Sequence, residues 1–275
     1  MKKQDNSGIV VLVSGASSGI GKSTAEYLSQ LGYRVYGTSR RPRDYPQPEK
    51  YALIEMDVRD SASVNAAVET VLRNEGHIDV LVNNAGYGIG GPVEETDPRI
   101  VEQQLDTNFF GLYRVLHRVL KEMRRQGSGR IINMSSIGGR IGLPYQGIYS
   151  ASKFAVEGLT EALYKELHGS GIRVLMIEPG DYKTGFTARR EMVVPDELQD
   201  RMAQSRRIIE HDEQSGRPPL EIAQLIDKVI RKKYPRLRYP VGAFDQKLSL
   251  FLKRILPDSC FDRIIMQYYK VKSGK

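Results

Sequence analysis

Tyr149 and Lys153 lie four residues apart in "IYSASK" (148–153), separated only by Ser150, Ala151 and Ser152. On a helix that spacing stacks both side chains on one face, one turn apart. A free phenol, with a pKa of about 10, is a poor base at neutral pH. An ammonium one turn away favours the phenolate and lowers that pKa, which suits the pair to moving a proton. The small residues between them leave room for a cofactor against the helix. Taken alone the pair is weak evidence, because both residue types are common on solvated helix faces.

A second group of residues suits a phosphate. "IVVLVSGASSGIGKS" places Gly15, Gly19 and Gly21 after an apolar run and at the start of a helical pattern. Gly15 allows a tight turn, Gly19 lets backbone N–H groups approach a pyrophosphate, and Gly21 permits close helix–strand packing. Ser17, Ser18 and Ile20 belong to the same cofactor-binding stretch. The spacing is G-x-x-x-G-x-G, which differs from G-x-G-x-x-G and from a P-loop. Metal and disulfide chemistry are not expected. Cys260 is the single cysteine, and His77, His117, His168 and His211 are scattered without ligand spacing.

The elements that must position these groups can be read from the apolar pattern. Strand candidates are 9–13, 34–38, 52–56, 79–84, 130–135, 173–178 and 236–241. Helix candidates between them span roughly 20–31, 61–75, 98–126, 149–169 and 219–233. Near-continuous apolar strands alternating with helices imply βαβ units and a parallel sheet covered on both faces. The expected architecture is one α/β domain over 1–275, a doubly wound Rossmann fold with a seven-stranded parallel sheet. The polar stretch 181–218 reads as a mobile substrate loop, with helix signal only around 195–207. Residues 244–275 read as a C-terminal helical extension.

"SGASSGIG", "DV" at 57–58, "NNAG" at 83–86, Asn108 in "TNFFG", Ser136, the Tyr149/Lys153 pair and "PGDYKT" at 179–184 occur in one order, each at an element end. The chain resembles the short-chain dehydrogenase/reductase family, closely over residues 8–185, and within it the hydroxysteroid and retinol dehydrogenase-like branch. The resemblance implies that Tyr149 is the acid and base of a hydride transfer and that Ser136 bonds the substrate oxygen. Its neighbour Ser135 is given only a minor chance of that role. Lys153 would also bond the nicotinamide ribose, and Asn108 would order a water in a proton relay or bond the backbone at a helix kink. Asp57 and Val58 match adenine contacts, and Asn84, Ala85 and Gly86 the turn beside the adenosine ribose. Pro179 and Gly180 match the turn under the nicotinamide, and Thr184 the residue near its carboxamide. Tyr182 stands where an aliphatic residue is usual and would serve through its backbone. Ser14 replaces the usual Thr.

The second strand ends at Ser39, where an acidic residue would repel a 2′-phosphate, and Arg40 and Arg41 follow. A guanidinium suits a phosphate in charge and fork geometry, so NADP(H) is expected with Arg40 as the main contact. The Val-Asp-Gly-Gly ending of ketoacyl-carrier reductases is missing, and the apolar, basic tail points to a bulky lipophilic substrate of steroid, retinoid or keto-lipid type. Reduction of 3-ketoacyl or small carbonyl substrates is the runner-up, and an NADP(H)-sensing binding protein the non-enzyme alternative.

The formal net charge of +8 is uneven, with 12 Lys/Arg and 3 Asp/Glu from Arg231 to Lys275. No aromatic-interleaved basic stripe points to nucleic acid. Packing of the tail on the domain or between subunits of a dimer or tetramer is favoured over adsorption to an anionic membrane. No run is long and apolar enough for a membrane span, and the default location is cytoplasmic.

Overall fold

The computed structural model describes residues 6–184, 191–192 and 199–271. Parts of the expected substrate loop, at 185–190 and 193–198, and the last four residues of the tail lie outside the described residues. The chain runs β1 (Val10–Val13), α1 (Gly19–Gln30), β2 (Arg34–Ser39), β3 (Ala52–Glu55), α2 (Ser61–Glu75), β4 (Val80–Asn83) and β5 (Ile89–Gly90). It continues with α3 (Pro98–Leu105), α4 (Leu112–Gln126), β6 (Gly129–Met134), α5 (Gly147–Glu166), β7 (Ile172–Pro179) and β8 (Glu191–Met192). The last elements are α6 (Gln199–Gln214), α7 (Leu220–Ile230), β9 (Arg238–Val241), α8 (Phe244–Ile255) and α9 (Asp258–Tyr268).

Seven strands form one sheet in the order β3-β2-β1-β4-β6-β7-β9, all parallel. The seven expected strands are thus the seven observed ones. Alternation along β1 shows why both faces are covered. Val10 and Leu12 join a core with Val68 and Val71 of α2, Val115 and Val119 of α4, and Leu163 of α5. Val11 and Val13 face the opposite core, with Ala25 and Leu28 of α1 and Ile222 and Ile226 of α7. Strand order reverses between β1 and β4, so a crevice opens at their carboxyl ends, where the glycine loop lies.

Two expectations about elements need correction. The helix expected over 98–126 is interrupted by a π turn, Asp106–Gly111, which separates α3 from α4. The stretch 181–218, read as a loop with helix signal only around 195–207, contains the 16-residue α6, which runs on to Gln214, and the short β8, which pairs with β5. The polar composition of α6 hid its C-terminal half, because it lacks a wide apolar stripe. In the tail, α8 and α9 pack on the sheet's carboxyl side through a third core of Ile137, Ile141 and the fully buried Phe261. Among the described residues no helix is long and apolar enough to cross a membrane, and no cluster of three His, Cys, Asp or Glu could hold a metal ion.

Candidate active site

The glycine loop is locked to the end of β4. Ser14 Oγ accepts from the backbone N–H groups of Asn84 (2.8 Å) and Ala85 (3.0 Å). Asn84 Nδ2 donates to the carbonyls of Ser14 (3.0 Å) and Gly15 (3.2 Å). A methyl on Gly21 would sit 2.2 Å from the Gly15 carbonyl oxygen and 2.5 Å from Asn84 Nδ2, so only hydrogen fits there. Gly15 (φ +69°) and Gly19 (φ +56°) both use the left-handed backbone region. Ser17, Ser18, Gly19 and Ile20 are half-buried and open the loop to the crevice. No acidic side chain occupies the first turn of α1, which leaves that helix start favourable to an anion.

Thr184 lies against this loop, its Cβ 3.2 Å from where a Gly19 methyl would be. Pro179 ends β7, and the Gly180 N–H donates to the Val241 carbonyl at 2.8 Å. Tyr182 turns its ring into the core beside α7, with its backbone bridged to Arg217, so its side chain faces away from the crevice. Burial pushes its phenol up to about 12.

After β3, the Arg59 guanidinium beside Asp57 holds its carboxyl below the usual carboxylate range, with Arg40 a lesser contributor. Arg59 Nη2 donates to Asp57 Oδ2 at 2.7 Å. Val58 is buried, while Arg40 is exposed at the end of β2. Sequence reading passed over Arg59, although it directly follows the "DV" pair.

Ser136, after β6, meets Tyr149 and Lys153, one turn apart on α5. Ser136 follows β6 and starts a short turn, its Oγ accepting from the Gly138 N–H at 3.0 Å. A methyl on Gly138 would meet Tyr149 Cε1 at 3.4 Å and Ser136 Oγ at 3.5 Å, so these two groups converge on one point. Ser135 faces the other way. A methyl on Gly139 would meet its Oγ at 2.6 Å and Glu157 Cγ at 3.2 Å, behind α5. Lys153 Nζ donates to the Met134 carbonyl at 2.9 Å and lies 5.9 Å from the centre of the Tyr149 ring. Burial brings its ammonium down to about 8, with Glu157 opposing the shift.

Asn108 sits fully buried in the π turn. Its Oδ1 accepts from the Tyr87 N–H at 3.0 Å. Its Nδ2 donates to the Tyr87 carbonyl at 2.8 Å and to Ser152 Oγ at 3.1 Å. The side chain therefore staples the loop after β4 to α5. Gly86 is the glycine this requires, since a methyl there would lie 3.1 Å from Asn108 Oδ1 and 3.7 Å from Lys153 Nζ.

Two features carried no local signal. Glu157 and Glu178 lie buried behind the site, with Arg238 Nε 2.9 Å from Glu157 and 3.4 Å from Glu178. Arg140 Nη1 is 3.2 Å from Glu178. Burial, then the neighbouring Glu157 charge, raise the Glu178 carboxyl to about 7. Gln246, near the start of α8, accepts from the Asp181 N–H (3.3 Å) and the Ala243 N–H (3.2 Å) and donates to the Asp181 carboxylate. It pins the tail to the loop after β7.

The family model described as short chain dehydrogenase matches residues 9–193. The 3-ketodihydrosphingosine reductase of Bacteroides thetaiotaomicron is 43% identical over 267 residues, 96% of this chain and 98% of that protein. The 17-beta-hydroxysteroid dehydrogenase type 1 of Homo sapiens is 36% identical over 84% of this chain and 76% of its own length. A short-chain dehydrogenase from Streptomyces avermitilis superposes with a TM-score of 0.79 at 30% identity, over 95% of this chain and 97% of that one. Other solved structures with this fold hold NADPH or NAD. The family model covers most of the chain and a near-full-length relative shares its sequence, so the chain belongs to the short-chain dehydrogenase/reductase family of oxidoreductases.

Proposed function

We propose that this protein is an NADP(H)-dependent reductase that interconverts a long-chain lipophilic ketone, of the 3-ketodihydrosphingosine type, with its secondary alcohol. The observation that carries the reading is the convergence of Ser136 and Tyr149 beside Lys153, against an apolar wall of Ile137, Ile141 and Leu143 backed by Phe261 of the tail. The 43% identical keto-lipid reductase aligns over nearly the whole chain, and the related steroid dehydrogenase also bears the name of an apolar substrate.

The crevice fits a dinucleotide. Its glycine cradle would be filled by any methyl at Gly21, and the start of α1 favours a pyrophosphate. Ser17, Ser18 and Ile20 line the loop, Asp57, Val58, Asn84, Ala85 and Gly86 flank the adenosine end, and Pro179, Gly180, Tyr182 and Thr184 close the nicotinamide side. A bound nicotinamide dinucleotide would supply the hydride. The Ser136 hydroxyl donates to the ketone oxygen and stabilises the charge that grows there. Tyr149 delivers the proton to that oxygen, completing the alcohol. The Lys153 ammonium stabilises the phenolate left behind, and Asn108, beside the same loop, orders the path by which a proton returns. In the oxidation direction each proton moves the other way.

Arg40, at the end of β2 with no carboxylate at Ser39, selects the 2′-phosphate. A charge-assisted contact of this kind predicts NADPH binding at least about tenfold tighter than NADH, and Arg40→Ala erasing that preference. Fluorescence titration with both dinucleotides measures it, and tighter NADH binding by the wild type would overturn the cofactor assignment. NADPH oxidation with 3-ketodihydrosphingosine, a ketosteroid and a 3-ketoacyl thioester tests the substrate class. Turnover of the thioester alone would sink the keto-lipid reading.

A further inference from the structure

Helix α8 is apolar on two sides, and only one of them is covered. Leu250, Leu252 and Leu256 pack inward against the core around Ile137, Ile141 and Phe261. The other stripe is Phe244, Leu248, Phe251 and Ile255, spaced four, three and four residues apart along one outer face. Their exposures are 75%, 39%, 57% and 56%. Four large apolar side chains in a row on one short helix are more than the scattered exposed residues ordinary in a soluble protein. Ile264 and Tyr268 extend the exposed apolar surface one turn apart on α9, at 45% and 47%.

One flank of this stripe is basic, while the exposed Asp245 follows Phe244 on the other flank and the exposed Asp262 precedes Arg263 on α9. Exposed Lys247 and Arg254 stand four residues before and three after Phe251, in a basic row next to the apolar one, and exposed Arg263 precedes Ile264. Asp258, an acidic group nearby, is paired with Lys253 at 2.7 Å. The surrounding segment from Arg231 onward holds 12 basic and 3 acidic residues, an imbalance the rest of the chain does not share. The placement is also specific. Gln246 anchors the start of α8 at Asp181, and the inner face of the helix meets Ile137, the residue after Ser136. The outer stripe therefore borders the side of the molecule that leads to the candidate substrate site.

We infer that the outer face of α8, with the exposed part of α9, docks on an anionic lipid bilayer. Phe244, Leu248, Phe251 and Ile255 enter the headgroup boundary while Lys247, Arg254 and Arg263 meet lipid phosphates. A second copy of the chain is the less fitting occupant. An antiparallel isologous contact centred on this stripe would bring each basic row against its own copy, with like charges opposed. Packing against the domain accounts for the inner stripe and leaves the outer one uncovered.

Flotation of the full chain with vesicles of equal phosphatidylcholine and phosphatidylglycerol tests this without any turnover, so its result is independent of the substrate reading. The wild type is expected to float with these vesicles and not with pure phosphatidylcholine. Leu248→Ser with Phe251→Ser is expected to lower the bound fraction at least about tenfold, from the apolar area lost. Lys247→Glu with Arg254→Glu leaves both apolar stripes in place and is expected to abolish binding to the anionic vesicles. Both variants should keep the wild-type melting transition, which separates lost docking from lost folding. Failure of the folded wild type to float overturns the inference. So does a stripe variant that floats as well as the wild type while sedimenting as a smaller particle, which would make the stripe a subunit interface.

Discussion

At the residue scale, the chemistry divides among side chains whose surroundings differ. Tyr149 is half-buried beside Ser136, whereas Lys153 is enclosed and bound to the Met134 carbonyl. Under the proposed mechanism Tyr149 is the proton donor, so Tyr149→Phe is expected to lower kcat by roughly 10²–10⁴-fold while dinucleotide binding persists. Steady-state NADPH oxidation beside a cofactor titration checks it, and an equally active variant would end the assigned chemistry. Under the same mechanism Lys153 is expected to set the pH dependence. Burial depresses its ammonium to about 8, so the charged form holds below that value and is lost above it. The rate of ketone reduction should therefore be level near neutrality and fall as pH rises through about 8. A pH profile of kcat/KM reads this directly.

At the element scale, the site depends on how closely α1 approaches β1 and β4. Gly21 faces the Gly15 carbonyl and the Asn84 amide, and neither is the far end of a flexible side chain. Gly21→Ala should overpack this contact, costing about 1–3 kcal/mol of stability. It should also weaken dinucleotide binding, because the loop proposed to cradle the pyrophosphate must move. Urea unfolding and cofactor titration of the variant measure both, and an unchanged unfolding midpoint would show that the helix can shift freely. The π turn has a comparable role. It places Asn108 where one side chain reaches both Tyr87 and Ser152, which a straight continuous helix from 98 to 126 would not have required.

At the scale of the whole molecule, the buried Glu157–Glu178 pair links the site to the sheet's far edge through Arg238 of β9. The Glu178 carboxyl is raised from its ordinary 4.5 to about 7 by burial and by Glu157. The folded state thus holds its proton more tightly than the unfolded chain does. Stability is full below pH 4.5 for this group and declines as pH rises from there to about 7. Glu178→Gln removes that titration, so the difference in unfolding midpoint between variant and wild type should move in the variant's favour across the interval. Denaturation at a pH on each side of it tests the sign, and a difference that does not move would show that Arg140 and Arg238 outweigh the burial. The tail belongs to this scale as well, since α8 reaches the site through Gln246 and the core around Phe261.

The sequence by itself determined the seven strands, the parallel sheet, the glycine loop and the Tyr149/Lys153 pair. Each of these is written in short-range terms: apolar runs, glycines at a turn, and two side chains one helical turn apart. The break in the 98–126 helix and the full length of the polar α6 escaped because a π turn and a narrow apolar face leave little periodic signal. The family spacing already pointed to Ser136 rather than Ser135, and the tertiary structure shows how Ser135 is turned behind α5. Only that structure decided what Asn108 holds, that Tyr182 turns its ring into the core, and that Arg238 meets two glutamates from distant parts of the chain. These outcomes depend on which residues meet across large sequence separations, and local spacing does not carry that information. The same holds for α8, whose sequence shows apolar residues at helical spacing, while the packing of Ile137, Ile141 and Phe261 determines which stripe is covered and which is left outside.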